Sequence, residues 1–185
     1  MSTMKSNSNA QEKLEIELVN LPSELYKKQQ MYLGLDVPFT EKVALDLVGM
    51  TPIEASYFAG FFDGEGCIRL MESNKSKNKV TKYYLPRVSV ASCYYPTLEI
   101  LANKLDKTIH KVTSRKEHYK DAFCLELSGN KALLFIRAIY PYLQEKKEQA
   151  KVFLRFGEYP RRSAQHEKIH KELKQLKRKN YGPKT

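Results

Sequence analysis

The residue with the clearest chemical potential is a carboxylate, Glu65, which lies between two glycines. Before it, small or polar side chains recur at helical spacing and form one stripe, made of Ser56, Ala59, Gly60 and Asp63. Small residues four positions apart let two helices pack backbone to backbone, so we expect a second copy of this helix on the stripe, related by a two-fold axis. Two copies of Glu65 would then converge, and adjacent carboxylates favour a divalent cation between them.

The helix that carries this stripe has a well-marked beginning and end. Thr51 is the predicted N-cap, Pro52 occupies the first helical position, and Glu54 completes a capping box. We expect the helix to run through Asp63 and to stop at the segment 64–66, where two glycines supply positive φ angles. Four aromatic side chains on its flanks are expected to pack into the core: Tyr57, Phe58, Phe61 and Phe62.

Beyond the helix, the apolar pattern predicts two hairpins separated by a helix. Strands are predicted at residues 67–71 and 83–92 and, in the second hairpin, at 109–115 and 119–128. Further helices are predicted at residues 95–106, 130–139, 143–157 and 163–179. This order predicts an α+β fold in which a four-stranded antiparallel sheet carries its helices on one face.

Charge and composition limit which partners the protein is expected to bind and in which cellular compartment it is expected to be. The chain has 32 Lys and Arg against 21 Asp and Glu, a net charge of +11, which is typical of nucleic-acid-binding proteins. Three cysteines without CxxC spacing argue against a disulfide framework and a cysteine zinc site. We expect no membrane segment, because no apolar run approaches about 20 residues. With no secretory signal either, we expect a soluble intracellular protein of a bacterial or phage cytoplasm or of an organelle.

The segment Phe58-Ala-Gly-Phe-Phe-Asp-Gly-Glu-Gly66 resembles the nine-residue LAGLIDADG motif of homing endonucleases. Three later segments resemble the family's second strand, fourth strand and late helix, in order: residues 86–92, 125–132 and 141–150. The resemblance covers residues 51–160 and contains one copy of the motif, as in the homodimeric branch. It implies the αββαββα fold and a site-specific endonuclease of intron or intein mobility, which cuts both strands of a long pseudo-palindromic target.

The resemblance also implies roles for particular residues. Glu65 matches the acid that binds the divalent metal, Mg²⁺ or Mn²⁺, and activates water, and the carbonyl of Gly64 matches a second metal ligand. Lys146 matches a basic residue that polarises the scissile phosphate, although Lys147 beside it competes for this role. Asp63 matches the earlier acid of the motif, which has a helix-end role.

Contact with double-stranded DNA is expected from the sheet face that points away from the helices. Alternation places Ile68, Leu70, Val88 and Val90 inward. It predicts the following DNA-binding residues, including a lysine in the first hairpin loop: Arg69, Met71, Ser73, Lys75, Arg87, Ser89, Lys111, Thr113, Arg115 and Glu126. Arginine and lysine can donate to guanine O6 and N7, and loop lysines can reach phosphates, with Lys77, Lys79, Lys116 and Lys120 as further candidates.

Two other functions remain open at this stage. The chain can be a catalytically inactive relative that only binds nucleic acid, as an RNA splicing cofactor or regulator, or a basic assembly protein without that role. Retention of the acid at position 65 favours the enzyme, because binding alone does not need it. We expect a partly disordered extension with short helices at residues 1–50, the endonuclease domain at 51–160 and a basic C-terminal helix at 161–185. We interpret His166 and His170 as part of that helix rather than as a metal-binding pair.

Overall fold

The computed structural model describes residues 41–73, 82–113, 121–159 and 163–179. Over these residues the predicted α+β fold is confirmed, with six α-helices and one four-stranded antiparallel sheet. The helices are α1 (Glu41–Val48), α2 (Pro52–Glu65), α3 (Tyr95–Leu105), α4 (Asn130–Ile139), α5 (Lys147–Leu154) and α6 (Gln165–Lys179). The strands are β1 (Gly66–Ser73), β2 (Tyr83–Ser92), β3 (Ile109–Val112) and β4 (Ala122–Ser128). None of the described helices is long and apolar enough to cross a membrane.

The sheet has the strand order β1-β2-β4-β3, and every neighbouring pair is antiparallel. Its inner face forms the core, as predicted, because Ile68 and Val88 are fully buried and Leu70 and Val90 nearly so. Phe58, Phe62 and Phe135 pack behind this face from α2 and α4. Burying a large apolar side chain stabilises a fold by roughly 1.5–3 kcal/mol, so this layer holds the sheet and α2 together.

The prediction that Lys111 lies on the outward face of the sheet is wrong. In the register of β3 with β4, His110 lies opposite Cys124 and Lys111 lies opposite Phe123. His110 and Val112 therefore share the face of Glu126, whereas Lys111 points the other way and pairs with Asp121 at 2.6 Å. Thr113 comes after the strand, which ends at Val112. A shift of one residue moves a whole strand to the opposite face, and only pairing with β4 determines this shift.

The predicted capping box at the beginning of α2 is confirmed. The hydroxyl of Thr51 accepts the N–H of Glu54 at 3.3 Å, and the Glu54 carboxylate accepts the N–H of Thr51 at 2.9 Å. Such caps contribute about 1 kcal/mol each. The hydrogen bond from the Thr51 backbone, helped by Lys104 at 2.9 Å, lowers the pKa of Glu54 to about 2. The same ion pair connects α2 with α3.

The end of α2 differs from the prediction in its geometry. The helix continues through Glu65, and Gly66 is extended, with a φ of −82°, so neither glycine of the segment adopts a positive φ. Gly66 is needed for a different reason: a Cβ there would lie 2.4 Å from both the ring and the carbonyl oxygen of Phe62. The missing side chain lets β1 begin directly against the last turn of α2.

The helix predicted at residues 143–157 is shorter in the structure. A 3₁₀ turn spans Tyr140–Tyr142, α5 begins only at Lys147, and a second 3₁₀ turn spans Arg155–Glu158. The residues before α5 stay out of the helix because two of their backbone N–H groups, those of Gln144 and Lys146, bind the carboxylate of Asp63 instead.

The first and last described helices both bury apolar side chains. Ala44, Leu45 and Val48 of α1 are buried, and α1 packs against α4. In α6, Ile169 and Leu173 are buried together with two histidines. Residues 1–40 lie outside the described residues. The domain limits expected at residues 50 and 160 stay predictions.

Candidate active site and nucleic-acid interface

Glu65 lies at the exposed C-terminal end of α2. Its carboxylate makes no hydrogen bond or ion pair with any other residue that the structure describes. The carbonyl of Gly64 belongs to the residue just before Glu65, and the last carbonyl groups of a helix lack partners within the helix. Carboxylate and carbonyl oxygens are the ligands that Mg²⁺ takes in proteins.

These donors fit a hard divalent cation in type but are too few to complete its shell. Among the described residues, no group of three or more His, Cys, Asp and Glu side chains could hold a metal ion. One chain therefore offers one free carboxylate with neighbouring carbonyl oxygens, Glu65 and Gly64. A cation held there needs ligands from water, from a phosphate or from a second copy of the chain.

Asp63 is buried, 8% exposed, and links the end of α2 to the segment before α5. One carboxylate oxygen accepts the N–H of Gln144 at 2.7 Å, and the other accepts the N–H of Lys146 at 2.9 Å. The ammonium group of Lys146 in turn donates to the carbonyl oxygen of Asp63. Lys146 is therefore held at the end of α2, where it binds Asp63, the residue two positions before Glu65. A cation in this position also complements the negative end of the helix dipole.

The neighbouring lysine points elsewhere. The ammonium group of Lys147 donates to the carbonyl of Pro141 at 3.5 Å and lies 5.9 Å from the centre of the Tyr140 ring. Lys146 and Lys147 are adjacent in sequence, but only Lys146 contacts α2. The structure thus distinguishes Lys146, to which the sequence analysis assigned the role, from its competitor Lys147.

The predicted interface stripe on α2 does not form a single free face. Ala59 and Asp63 are buried within the chain, so their assignment to a dimer interface is wrong. Ser56 and Gly60 are exposed, and they share the outer face of α2 with Ile53, which is 83% exposed. Tyr57 lies on the same face and is 57% exposed, so the prediction that it packs into the core is wrong. Nothing lies within 4 Å of a Cβ built on Gly60 or Gly64. This outer face of α2 is open and partly apolar.

The outward face of the sheet brings together three of the predicted residues. Arg69, Arg87 and Glu126 form one cluster on β1, β2 and β4, with Arg69 directly opposite Arg87. Met71 is exposed on the same face, and Ser73 follows it two residues further along β1. Ser89 is half-buried and lies opposite Glu126. The remaining predicted contacts lie outside the described residues: Lys75, Lys77, Lys79, Arg115, Lys116 and Lys120.

One residue near this face was missed by sequence reasoning. The ammonium group of Lys177 on α6 lies 3.6 Å from the sulfur of Cys67. Cys67 is on the face of Arg69 and two residues beyond Glu65, so α6 places a cation beside the candidate site. The helical period of His166, His170 and Leu173 extends to Lys177, but no sequence signal connects it with a residue 110 positions away.

The two histidines of α6 are buried in packing contacts. His166 stacks on Phe156 at 3.8 Å between ring centres, and its Nε2 lies 3.2 Å from the Phe156 carbonyl oxygen. His170 packs on Tyr84 at 4.9 Å, and its Nε2 has no hydrogen-bond partner. Burial lowers the pKa of both imidazoles below their ordinary value. The predicted basic C-terminal helix thus has a packed inner face.

A sequence model of the family described as LAGLIDADG endonuclease matches residues 58–161, which is more than half of the chain. The homing endonuclease I-CvuI, in complex with the I-CreI target, is 19% identical and has a TM-score of 0.53, over 67% of this chain and 82% of that one. The archaeal intron-encoded homing endonuclease I-Vdi141I, complexed with DNA, is 16% identical and has a TM-score of 0.55, over 72% and 89%. These two likenesses concern the fold. No curated protein sequence matches the chain significantly.

Proposed function

The chain belongs to the LAGLIDADG endonuclease family, and from this premise we propose that it is a site-specific, metal-dependent DNA endonuclease that cuts both strands as a homodimer. The observation that carries the proposal is the end of α2. There an exposed carboxylate, Glu65, has no partner among the described residues, and the ammonium group of Lys146 binds the carbonyl oxygen of Asp63, two residues before it. A turn acid with a purely structural role would be expected to bind a backbone N–H or a cation of its own chain.

Each residue has a definite task in this proposal. Glu65 and the carbonyl of Gly64 hold the divalent cation, Mg²⁺ or Mn²⁺, which when bound lowers the pKa of water and polarises phosphate oxygens. Glu65 orients the attacking water from its exposed position. Lys146 stabilises the negative charge that develops on the scissile phosphate. Asp63 is not a ligand, because both of its oxygens are already used by backbone N–H groups.

A homodimer is supported by the outer face of α2. Ile53 and Tyr57 expose apolar surface, and Gly60 leaves room for the backbone of a second helix. A two-fold axis along this face would bring two copies of Glu65 together, one for each DNA strand, and would complete the set of metal ligands. The same symmetry predicts a target made of two inverted half-sites.

Contact with double-stranded DNA is supported by the charge and by the sheet. The chain carries a net charge of +11, and the outward face of β1, β2 and β4 presents arginine and polar side chains. A β-ribbon fits the major groove, where base edges are distinguishable. The solved structures of I-CvuI and I-Vdi141I, which share the fold, are both complexes with DNA.

The test is cleavage of DNA from a randomised library, with Glu65→Gln as the diagnostic variant. We expect Glu65→Gln to keep its fold and DNA affinity but to lose metal-dependent cleavage, because it removes one charge with almost no change in volume. The matched control is Glu99→Gln, on the exposed side of α3, which should cleave like the wild type.

Three outcomes would contradict parts of the proposal. Full activity of Glu65→Gln would remove this residue from the site, and cleavage that survives a chelator would exclude a metal mechanism. Specific binding without cleavage by the wild-type protein, over a range of divalent metals, would instead support the inactive nucleic-acid-binding relative. Ca²⁺ should support binding better than cleavage, because its loose oxygen shell acidifies water poorly compared with Mg²⁺.

A further inference from the structure

Two arginines and one glutamate form a closed ionic cluster on the outward face of the sheet. One terminal nitrogen of Arg69, Nη2, lies 2.7 Å from Oε2 of Glu126. One terminal nitrogen of Arg87, Nη1, lies 3.0 Å from Oε1 and 3.2 Å from Oε2 of the same carboxylate. The cluster joins three strands, since Arg69 and Arg87 are direct partners and Glu126 lies opposite Ser89, two residues along β2 from Arg87.

The cluster fixes the direction in which each guanidinium points. Each arginine uses one terminal nitrogen on Glu126, and its other terminal nitrogen has no partner among the described residues. The Nε atoms of both arginines are buried and have no partner within the described residues. The inner part of each guanidinium is therefore covered, and the donors that remain accessible lie at its outer end.

Stability alone is a weak reason for a glutamate in this position. Half-exposed ion pairs contribute about 0–1 kcal/mol, and the three side chains are 42%, 25% and 30% exposed for Arg69, Arg87 and Glu126. A carboxylate on a surface that meets a polyanion also repels the phosphates. It cancels one of the two positive charges, which weakens non-specific contact with the backbone.

We propose that Glu126 is a positioning residue for base recognition: it holds Arg69 and Arg87 so that their free nitrogens reach a guanine and not a phosphate. This inference rests on the proposed function, and it gives Glu126 no base contact of its own. The ligand chemistry is the O6 and N7 acceptor pair of guanine in the major groove, to which the accessible N–H groups of a fixed guanidinium can donate. Because Glu126 is anionic, it disfavours the negatively charged phosphate as an alternative ligand.

The experiment compares Glu126→Gln with Glu72→Gln on a library in which every base pair of the selected target is varied. Glu72 is a matched control, because it also forms an ion pair across β1 and β2, with Lys82 at 3.2 Å, and its replacement changes the net charge equally. We expect Glu126→Gln to bind random DNA more tightly and to lose preference at one G·C pair per half-site, by roughly 5- to 100-fold. Glu72→Gln should change affinity for all sequences alike.

A second variant keeps the proposal testable if Glu126→Gln does not fold. Arg87→Lys retains the ion pair and the net charge but replaces the planar fork by a single ammonium group, so it should lose preference at the same base pair. Unchanged base preference in either variant would mean that the cluster only connects the strands, and a fall in melting temperature alone would support that role. Failure of the wild type to bind any DNA would overturn the proposed function as well.

Discussion

At the scale of single residues, the structure distinguishes side chains that are neighbours in the sequence. Asp63 and Glu65 are both acids of the motif, yet Asp63 is buried and binds two backbone N–H groups, whereas Glu65 is exposed and unpaired within the described part of the chain. Lys146 contacts the end of α2, whereas Lys147 contacts Pro141 in the 3₁₀ turn before α5. One acid and one lysine therefore belong to the framework, and the other two form the candidate site.

The two lysines provide a matched pair of variants. We expect Lys146→Met to lower the cleavage rate constant by about 100- to 1000-fold with little change in DNA affinity, since a cation that stabilises transition-state charge contributes a few kcal/mol. Lys147→Met should retain most of the activity. Single-turnover cleavage of saturated complexes measures the two rates. Equal losses in both variants would contradict the assignment of Lys146.

Asp63 allows a further prediction at this scale. Asp63→Asn keeps the shape but replaces one accepting oxygen by a donor, which cannot bind the N–H of Gln144 or Lys146. A buried N–H group without a partner costs about 1–3 kcal/mol, so the melting temperature should fall and Lys146 should lose its position. Thermal unfolding and single-turnover cleavage measure both effects, and an unchanged melting temperature would show that these hydrogen bonds are not needed.

At the scale of elements, α2 has an inner face that builds the core and an outer face that is free in one chain. Phe58, Ala59 and Phe62 are buried on the inner face. The outer face carries Ile53, Tyr57 and Gly60, and it ends beside the exposed acid. The helix can therefore keep its place in the chain while the outer face packs on a second copy.

Gly60→Leu tests the dimer without disturbing the single chain. Apart from the backbone of its own helix, nothing that the structure describes lies within 4 Å of a Cβ at Gly60. Leucine also favours a helix over glycine by up to about 0.8 kcal/mol, so each chain should fold at least as well. We expect the variant to be monomeric and inactive in sedimentation and cleavage measurements. By contrast, Gly66→Ala should unfold the chain at a lower temperature, because its Cβ meets Phe62.

The dimer proposal fails if Gly60→Leu remains dimeric and active. It also fails if the wild-type protein is a monomer at micromolar concentration both with and without DNA.

The two buried histidines of α6 predict that the stability of the fold depends on pH. Burial lowers the pKa of His166 and His170 below the ordinary value of 6.5, and Lys174 and Lys82 lower that of His170 further, while Glu72 and the Leu70 carbonyl oppose this. As the pH falls below about 6.5, the unfolded chain takes up these protons first. The free energy of unfolding should therefore be highest above pH 6.5 and fall from there towards pH 5.

Urea unfolding at several pH values measures this effect. His170→Phe removes one titrating group and should reduce the slope of stability against pH. The ion pairs of Glu54 and Glu167 do not interfere, because lowered carboxylate pKa values contribute stability that is lost only below about pH 4.5. A flat profile between pH 7 and 5 would contradict the prediction.

At the scale of the whole molecule, net charge makes DNA binding sensitive to salt. A chain with a net charge of +11 is expected to neutralise several phosphates, so the logarithm of the binding constant should fall steeply and linearly with the logarithm of the salt concentration. Lys177→Gln should reduce this slope by about 1 per chain, equally for target and random DNA. Titrations at four salt concentrations test both statements, and an unchanged slope in Lys177→Gln would exclude a phosphate contact.

The sequence by itself determined the features that depend on local physics. Capping at Thr51, alternation in β1 and β2 and helical spacing in α4 each lie within a short segment, and the order of elements follows from them. The motif around Glu65 is local as well, and its resemblance to LAGLIDADG indicated the family from the sequence alone. These predictions succeeded because hydrophobic period and backbone capping need no knowledge of distant residues.

Only the tertiary structure decided the features that join distant segments. Asp63 binds Lys146 across 83 residues, Arg69 binds Glu126 across 57, and Lys177 contacts Cys67 across 110. The face of Lys111 and the free face of α2 likewise depend on what packs beside them. The register of a strand depends on the strand beside it, and the buried face of a helix depends on the elements that pack on it. These contacts are therefore determined by the pairing and packing of the whole chain.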